Sequence, residues 1–344
     1  MRVPRQLVAA VVLLAVPLAG VSPASAAGLN VGPLADFQAQ LMAYSLRAPG
    51  HVAIAVQDVA SGMTTGINPS AEMPAASTIK IPVMVEVFRQ LLAGEFDLNT
   101  RVTLRKADKD WGSGDLCNAR AGSTVPVSRL LSLMIDVSDN TATNMLIRLV
   151  GRQRINETMA DYGLSHTKLR DFIRSEGNGI RWALRSSPSD MAYLLTKMAK
   201  EQLIDEWSSR AMIKILRDQK HNSLLPEPLP AGTQIAHKTG TLHDTLNDVG
   251  IVYGAGEDPY VIAVMTTDLP TLESGRRFIR GVSKLTYTAL EKLGSIRDDA
   301  GFNANAESER AAPLTPEQQM WTPQNGGPAP STAPTDAPSA QPKT

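Results

Sequence analysis

The chain has 344 residues, and its 34 lysines and arginines balance 34 aspartates and glutamates, so the formal net charge at pH 7 is zero. Basic residues form no cluster, and we therefore expect no nucleic-acid partner. The one cysteine, Cys117, excludes an internal disulfide, and its neighbours supply no base that would activate a thiol. The five histidines show no metal-ligand spacing, so we expect neither a metal nor a cofactor.

The first 26 residues have the pattern of a secretory signal peptide. Arg2 and Arg5 precede an apolar run over 7–21, and residues 24–26 (Ala-Ser-Ala) form a small-residue cleavage site. The run is too short and too interrupted by proline to cross the ~30 Å hydrocarbon core of a bilayer. We expect a cleaved signal, no stable membrane span, and a secreted, periplasmic or cell-wall associated protein.

The middle of the chain, residues 27–300, contains enough apolar residues for one catalytic domain, and the Pro- and Ala-rich stretch 301–344 is typical of a disordered tail. Apolar periodicity predicts, in chain order, helix 33–47, a strand pair that starts with 51–59, helices 78–93, 127–137, 141–150, 152–162, 188–200 and 206–217, strands 234–237, 248–253 and 260–266, and helix 272–293. Strands at both ends therefore enclose a block of helices. This order predicts an α+β fold, with an antiparallel sheet formed from both chain ends, flanking helices and an all-helical inserted block.

The first of three short motifs is Ser77-Thr78-Ile79-Lys80, at the start of the predicted helix 78–93. Lys80 lies about one turn after Ser77, so its amine faces the same side and is placed to share a proton with the hydroxyl once burial lowers its pKa. The alternative is that Ser77 is simply an N-cap. A second Ser-x-x-Lys, Ser165 to Lys168, shows that this motif alone is weak evidence.

The second motif, Ser138-Asp139-Asn140, lies between two predicted helices. Ser138 is suited to pass a proton between Lys80 and a leaving nitrogen, and Asn140 is suited to hold a substrate amide. The alternative is that all three residues are helix caps, since Ser, Asp and Asn are the preferred N-cap residues.

The third motif, Lys238-Thr239-Gly240, lies in a predicted strand. Lys238 and Thr239 would face a substrate carboxylate, and Gly240 permits a close approach of the substrate. The backbone N–H of Thr241, together with that of Ser77, would form an oxyanion hole. The alternative is a surface strand with an ordinary lysine.

The ordered set of motifs resembles the signature of class A β-lactamases and penicillin-binding proteins. Their surroundings are also similar, with residues 73–76 before the first motif, 141–144 after the second and 247–248 after the third. The resemblance implies a β-lactamase/transpeptidase-like fold and a covalent acyl-enzyme. It also implies Ser77 as nucleophile, Lys80 as its base or proton relay and Ser138 as proton shuttle. Asn140, Lys238, Thr239 and Thr241 would then be substrate-binding residues.

The loop between the second and third motifs departs from this family. Class A enzymes carry a glutamate there that activates water for deacylation, but alignment of Leu169 and Phe172 with the family pattern places Ile173 at its position. Isoleucine accepts no proton. A shifted register places Glu176 at the water, although residues 176–179 (Glu-Gly-Asn-Gly) are equally typical of an exposed turn. Glu176 is therefore a candidate catalytic base with an alternative interpretation.

Three functional hypotheses follow. The first is an exported β-lactamase that opens β-lactam rings through a Ser77 acyl-enzyme. The second is a penicillin-interactive serine hydrolase, or a D,D-peptidase-like enzyme with slow deacylation, which acts on a cell-wall peptide or a small ester. The third is a catalytically weak binding protein on the same fold. In each case we expect a monomer whose partner is a small molecule or a cell-wall peptide.

Overall fold

The computed structural model describes residues 32–175, 180–254 and 259–299. The predicted signal peptide, the predicted tail and Glu176 lie outside the described residues. At the centre is a five-stranded antiparallel sheet, whose strands are β1 His51–Asp58, β2 Thr64–Ile67, β8 Gln234–Leu242, β9 Thr245–Tyr253 and β10 Pro259–Thr267. Their order across the sheet is β2-β1-β10-β9-β8. The prediction of an antiparallel sheet formed from both chain ends is confirmed.

Helices cover both faces of this sheet. The helix before β1 and the helix after β10 pack on one face, and the helical block inserted between β2 and β8 covers the other. The helices are α1 Gly32–Ser45, α2 Lys80–Leu92, α3 Val127–Asp136, α4 Asn140–Val150, α5 Arg152–Asp161, α6 Ile180–Ala183, α7 Pro188–Ala199, α8 Glu206–Arg217 and α9 Leu272–Asp299. The predicted α+β fold is confirmed, with helix boundaries within a few residues of those expected for most helices.

Successive side chains of each sheet strand point to opposite faces of the sheet, so the interior is divided into two cores. In β1, Ile54 joins Phe37 of α1 and Phe278 of α9 in one core, whereas Ala53 joins α2 residues such as Val85 in the other. A central strand that is buried on both faces has a continuous apolar sequence, as residues 260–265 of β10 do. The sheet is therefore a rigid platform from which its edge strand, β8, reaches the helical block.

Two small sheets escape prediction from the sequence. One contains β3 Met73–Pro74, β6 Lys168–Leu169 and β7 Leu184–Ser186, and the other pairs β4 Arg101–Thr103 with β5 Thr124–Pro126. These strands have two or three residues each, which is too short to show a period of two. The first sheet matters for the site because β3 leads directly into Ser77.

Within the described part of the chain, no helix is both long and apolar enough to cross a membrane.

Candidate active site

A cleft of about 690 Å³ lies between the β8 edge of the sheet and the helical block. Its lining includes five of the residues that the motifs single out, namely Ser77, Ser138, Asn140, Thr239 and Thr241. The two motif lysines, Lys80 and Lys238, lie directly behind this lining with no exposed surface. The three motifs, which are up to 163 positions apart in the sequence, are therefore brought to one place.

Ser77 lies in a short 3-10 turn, Ala76–Ile79, which precedes α2. Neither the turn nor α2 has a side-chain N-cap, so the alternative interpretation of Ser77 as a helix cap is wrong. Ala76 has a φ of +48°, a conformation that is uncommon for residues with a side chain and costly to maintain. Asn247 of β9 stabilises this segment, because its Nδ2 donates to the carbonyl oxygens of Pro74 (2.8 Å) and Ala75 (3.1 Å).

Lys80 is the first residue of α2 and its amine is enclosed by the second motif. Nζ donates to Ser138 O at 2.7 Å, Ser138 Oγ at 2.9 Å and Asn140 Oδ1 at 2.8 Å. Burial, helped by the charge of Lys238, holds the pKa of Lys80 well below its usual value, against the opposite influence of Asp139 and Asp110. A larger fraction of Lys80 is therefore neutral, and able to accept a proton, than of an exposed lysine at the same pH.

Ser138 connects the two lysines. Its φ of +59° follows the end of α3 and turns the side chain toward the cleft, where Oγ accepts from Lys80 Nζ and, at 3.1 Å, from Lys238 Nζ. A hydroxyl oxygen has two lone pairs and one proton. Since both lone pairs are engaged by lysine donors, the hydroxyl proton of Ser138 is left to donate to a ligand in the cleft.

The capping interpretation of the second motif is correct for one of its three residues. Asp139 is the N-cap of α4, and its Oδ1 accepts from the backbone N–H of Ala142 at 2.8 Å. Its other oxygen accepts from the backbone N–H of Leu116 at 2.9 Å. The cap fixes the start of α4, so Ser138 and Asn140 on either side point toward Lys80.

Lys238 lies in β8 and has none of the character of a surface lysine, so that alternative is wrong. Besides Ser138 Oγ, its Nζ donates to the carbonyl oxygen of Thr239 at 2.9 Å. Burial lowers the pKa of Lys238 to about 7, although the nearby carboxylate of Asp248 acts in the opposite direction.

The backbone of β8 presents hydrogen-bonding groups to the cleft. The β8–β9 hairpin has a two-residue loop, so Leu242 and Thr245 form its closing pair and the N–H of Thr241 points off the sheet edge. A Cβ at Gly240 would lie 2.9 Å from Ala75 O and 3.2 Å from Ser77 N. Glycine therefore allows the strand to approach the Ser77 turn closely, and the backbone N–H groups of Ser77 and Thr241 come to the same end of the cleft.

Ile173 faces the same cleft from the loop after β6. Both of its backbone groups are held by one side chain, since its N–H donates to Asn144 Oδ1 at 2.8 Å and its carbonyl accepts from Asn144 Nδ2 at 3.1 Å. The position that the family pattern gives to a glutamate is thus occupied by a nearly buried aliphatic side chain. The alternative base, Glu176, is outside the described residues.

Sequence reasoning missed three residues that hold this site together. Asn144 and Asn247 lie within the stretches on which the family resemblance rests, so their position offered a signal, but their bonds to Ile173 and to the Ser77 segment required the structure. Asp110, which binds Asn140, lies in no motif and had no signal in the sequence.

Known proteins are similar to this chain in sequence and in fold. The model of the family described as "Beta-lactamase enzyme family" matches residues 36–290. The extended-spectrum β-lactamase PER-1 of Pseudomonas aeruginosa is 27% identical over an alignment 249 residues long, which covers 67% of this chain and 80% of that protein. Among solved structures, PBP-A is 30% identical with a TM-score of 0.69, covering 75% of this chain and 97% of PBP-A.

Two further solved structures, one of them an acyl-enzyme, are similar to this chain. A leucine-to-glutamate mutant of PBP-A was solved as an acyl-enzyme complex with penicillin G, with the same identity, coverage and TM-score as PBP-A itself. A β-lactamase from Sphaerobacter thermophilus is 30% identical with a TM-score of 0.67, covering 76% of this chain and 98% of that one.

Proposed function

Because the chain belongs to the β-lactamase enzyme family and is a hydrolase of the serine β-lactamase type, we propose that Ser77 opens β-lactam rings by forming an acyl-enzyme that water cleaves slowly. The observation that carries this proposal is the Ser138 hydroxyl held between two buried lysines beside Ser77, in a cleft whose deacylation position is occupied by Ile173.

Acylation uses the first two motifs. Neutral Lys80 accepts the proton of the Ser77 hydroxyl as Oγ attacks the β-lactam carbonyl carbon. The C–N bond of the ring then breaks, the nitrogen takes the proton of the Ser138 hydroxyl, and Lys80 passes to Ser138 the proton that it received from Ser77. Ser138 suits this relay because its Oγ lies 2.9 Å from Lys80 Nζ and 3.1 Å from Lys238 Nζ, within hydrogen-bond reach of both amines.

Groups at the edge of β8 stabilise the transition state. The backbone N–H groups of Ser77 and Thr241 donate to the carbonyl oxygen as it becomes an oxyanion. Thr239, which lines the cleft, donates to the carboxylate that β-lactams carry next to the ring nitrogen, and the positive charge of Lys238 directly behind it attracts that carboxylate. Asn140 donates an amide N–H to the carbonyl of the substrate's acylamido side chain.

Deacylation is the slow step in this proposal. Water needs a general base to attack the Ser77 ester at neutral pH, and a base contributes about 10²- to 10⁴-fold to such a step. Ile173 supplies none. The penicillin G acyl-enzyme of a PBP-A mutant supports acylation on a similar chain.

A second candidate is rapid β-lactam turnover with Glu176 as the base of the deacylating water. The similarity to PER-1, an extended-spectrum β-lactamase, favours this candidate. Glu176 follows Ile173 by three residues, so a register change in the loop is all that the candidate requires. Glu176→Gln would then stop turnover and leave a lasting adduct, whereas in slow deacylation it changes neither.

A time course of the purified protein with nitrocefin and a fluorescent penicillin, followed by absorbance and intact mass, tests the proposed function. We expect one equivalent of rapid product release, then slow turnover, with the adduct on Ser77. Fast turnover without an adduct would select the second candidate. A folded protein that shows neither turnover nor adduct would overturn both, in favour of a binding protein.

The pH dependence of acylation should separate the roles of the two lysines. Lys238, with a pKa of about 7, is charged below that pH and loses its charge above it. Between about pH 6 and about pH 8, its attraction for a carboxylate should fall about tenfold. His221 lines the cleft near Lys238, and because burial lowers its pKa it stays neutral above pH 7.

The measurement compares acylation by benzylpenicillin and by its methyl ester across this range. Lys80 deprotonation affects both compounds equally, so their ratio reports Lys238 alone. We expect the preference for the acid to decline as pH rises. A constant ratio would contradict the carboxylate role of Lys238.

We also propose that the protein is exported after removal of residues 1–26 and acts as a monomer. The apolar run and the small-residue site support export. Intact mass of the protein recovered outside the cytoplasm should begin at residue 27, and size-exclusion chromatography should give the mass of one chain. A retained N-terminus or a dimer would contradict these proposals.

A further inference from the structure

Asp110 is a buried carboxylate next to the cleft that the mechanism above does not use. Its Oδ1 accepts from Asn140 Nδ2 at 2.7 Å and from the backbone N–H of Gly112 at 3.0 Å. Its Oδ2 accepts from the backbone N–H of Ser175 at 2.7 Å and from Ser175 Oγ at 3.0 Å. The carboxylate therefore joins Asn140 to the segment that follows Ile173.

These bonds keep Asp110 ionised. Burial alone would raise the pKa of its carboxyl, but hydrogen bonds from Asn140, Gly112 and Ser175 outweigh burial and hold the pKa below its usual value. An ionised carboxylate only accepts hydrogen bonds, so every neighbour must present a donor.

The partners on its two sides fix the orientation of the Asn140 amide. The ionised Asp110 only accepts hydrogen bonds, so Nδ2 of Asn140 must face Asp110, and Oδ1 then faces Lys80, whose Nζ donates to it at 2.8 Å. An amide nitrogen carries two protons. One is bound by Asp110, and the other remains for an acceptor in the cleft that Asn140 lines.

We propose that Asp110 is a positioning residue, which orients the second N–H of Asn140 toward the carbonyl of a substrate's acylamido side chain. This inference rests on the function proposed above. It makes Asp110 a determinant of specificity, because it improves binding of compounds that carry an acylamido group and leaves those without one unaffected.

Asp110→Asn tests the proposal. The substitution keeps the size but turns one oxygen into a donor that faces other donors, which frees the Asn140 amide to rotate. We expect the acylation rate constant for benzylpenicillin to fall about tenfold, the factor for one well-placed hydrogen bond. For 6-aminopenicillanic acid, which lacks the acyl group, we expect a fall of less than about twofold, and an equal fall for both compounds would overturn the proposal.

Asp108→Asn is the matched control. Asp108 is as buried as Asp110 and lies two residues earlier, but its carboxylate accepts from Arg148 and from the backbone N–H of Arg105 instead of from Asn140. Asp108→Asn should lower stability while changing the acylation rate constants for both compounds by the same factor. A loss confined to benzylpenicillin would overturn the proposal, because any disturbance of this segment would then have the same effect as Asp110→Asn. In an Asn140→Ala background, Asp110→Asn should have no further effect on the ratio of the two acylation rate constants. A further fall of that ratio would contradict action through Asn140.

Two measurements cover failure of the main variant. If Asp110→Asn does not fold, Ser175→Ala can replace it, since it removes one hydrogen-bond donor to Asp110. It should lower the ratio of the acylation rate constants for benzylpenicillin and 6-aminopenicillanic acid about twofold, and an unchanged ratio would overturn the proposal. Ligand-induced rises in Tm, measured with Ser77→Ala and with Ser77→Ala/Asp110→Asn, require no covalent step. If Ser77 is not acylated, the proposed function fails, while these shifts still decide the role of Asp110.

Discussion

Replacement of Ser77 with alanine should lower the rate of covalent labelling by a fluorescent penicillin about 10⁴-fold or more, with the fold retained. The expected loss is large because Oγ forms the bond to the substrate, and the neighbouring donors cannot replace it. Ser77 lies at the cleft surface, and its side chain caps no helix, so its removal leaves α2 and the sheet intact. Gel fluorescence and intact mass measure the adduct, and Tm checks the fold.

Ser165→Ala is the matched control for this variant. Ser165 begins the other Ser-x-x-Lys in the chain, but it is exposed and is followed by the short strand β6 rather than by the start of α2. Labelling of Ser165→Ala should equal that of the unaltered protein. Full labelling of Ser77→Ala, or its loss in Ser165→Ala, would refute Ser77 as the nucleophile.

The second large effect should be a gain of function. Ile173→Glu should accelerate hydrolysis of the acyl-enzyme about 10²-fold, within the range that a general base contributes. The backbone of Ile173 is held at both its N–H and its carbonyl by Asn144, so a new side chain at this position keeps its direction into the cleft. The adduct lifetime, followed by intact mass after a single addition of penicillin, measures the change.

Ile173→Gln separates the chemistry of the carboxylate from the effect of a polar side chain. Glutamine has the same shape but accepts no proton, so its adduct should persist as long as that of the unaltered protein. Both variants place a polar group at a site with 5% exposure and should lower Tm to a similar extent. Equal acceleration by both, or acceleration by neither, would contradict Ile173 as the cause of slow deacylation.

The sequence was sufficient to predict the central sheet, most of the helices and the motif residues that meet at the cleft, because the motifs are local and these elements are long. Helices and central strands repeat their apolar pattern often enough to be recognised, as in α2 and β10. The three motifs identified the residues that meet at the cleft.

The sequence was insufficient where a role depends on a distant partner. Capping was a reasonable interpretation of Ser138, Asp139 and Asn140 together, and only three-dimensional contacts show that Asp139 alone is the cap. The burial of Lys238 likewise follows from the block of helices that covers β8, which no local pattern encodes. Asp110 is the extreme case, since its four donors come from three separate segments.

The sheet formed from both chain ends also has a kinetic consequence. His51 pairs with Thr267, and β10 lies between β1 and β9, so the central strand of the sheet is among the last to be synthesised. Such distant pairing gives a high contact order, which slows folding because the entropy of a long loop is lost before its contacts form. Lys238 and Thr241 reach Ser77 only when this sheet closes. A growing chain therefore has its nucleophile long before it has an active site, and it remains inert until β8, β9 and β10 have been synthesised and have paired.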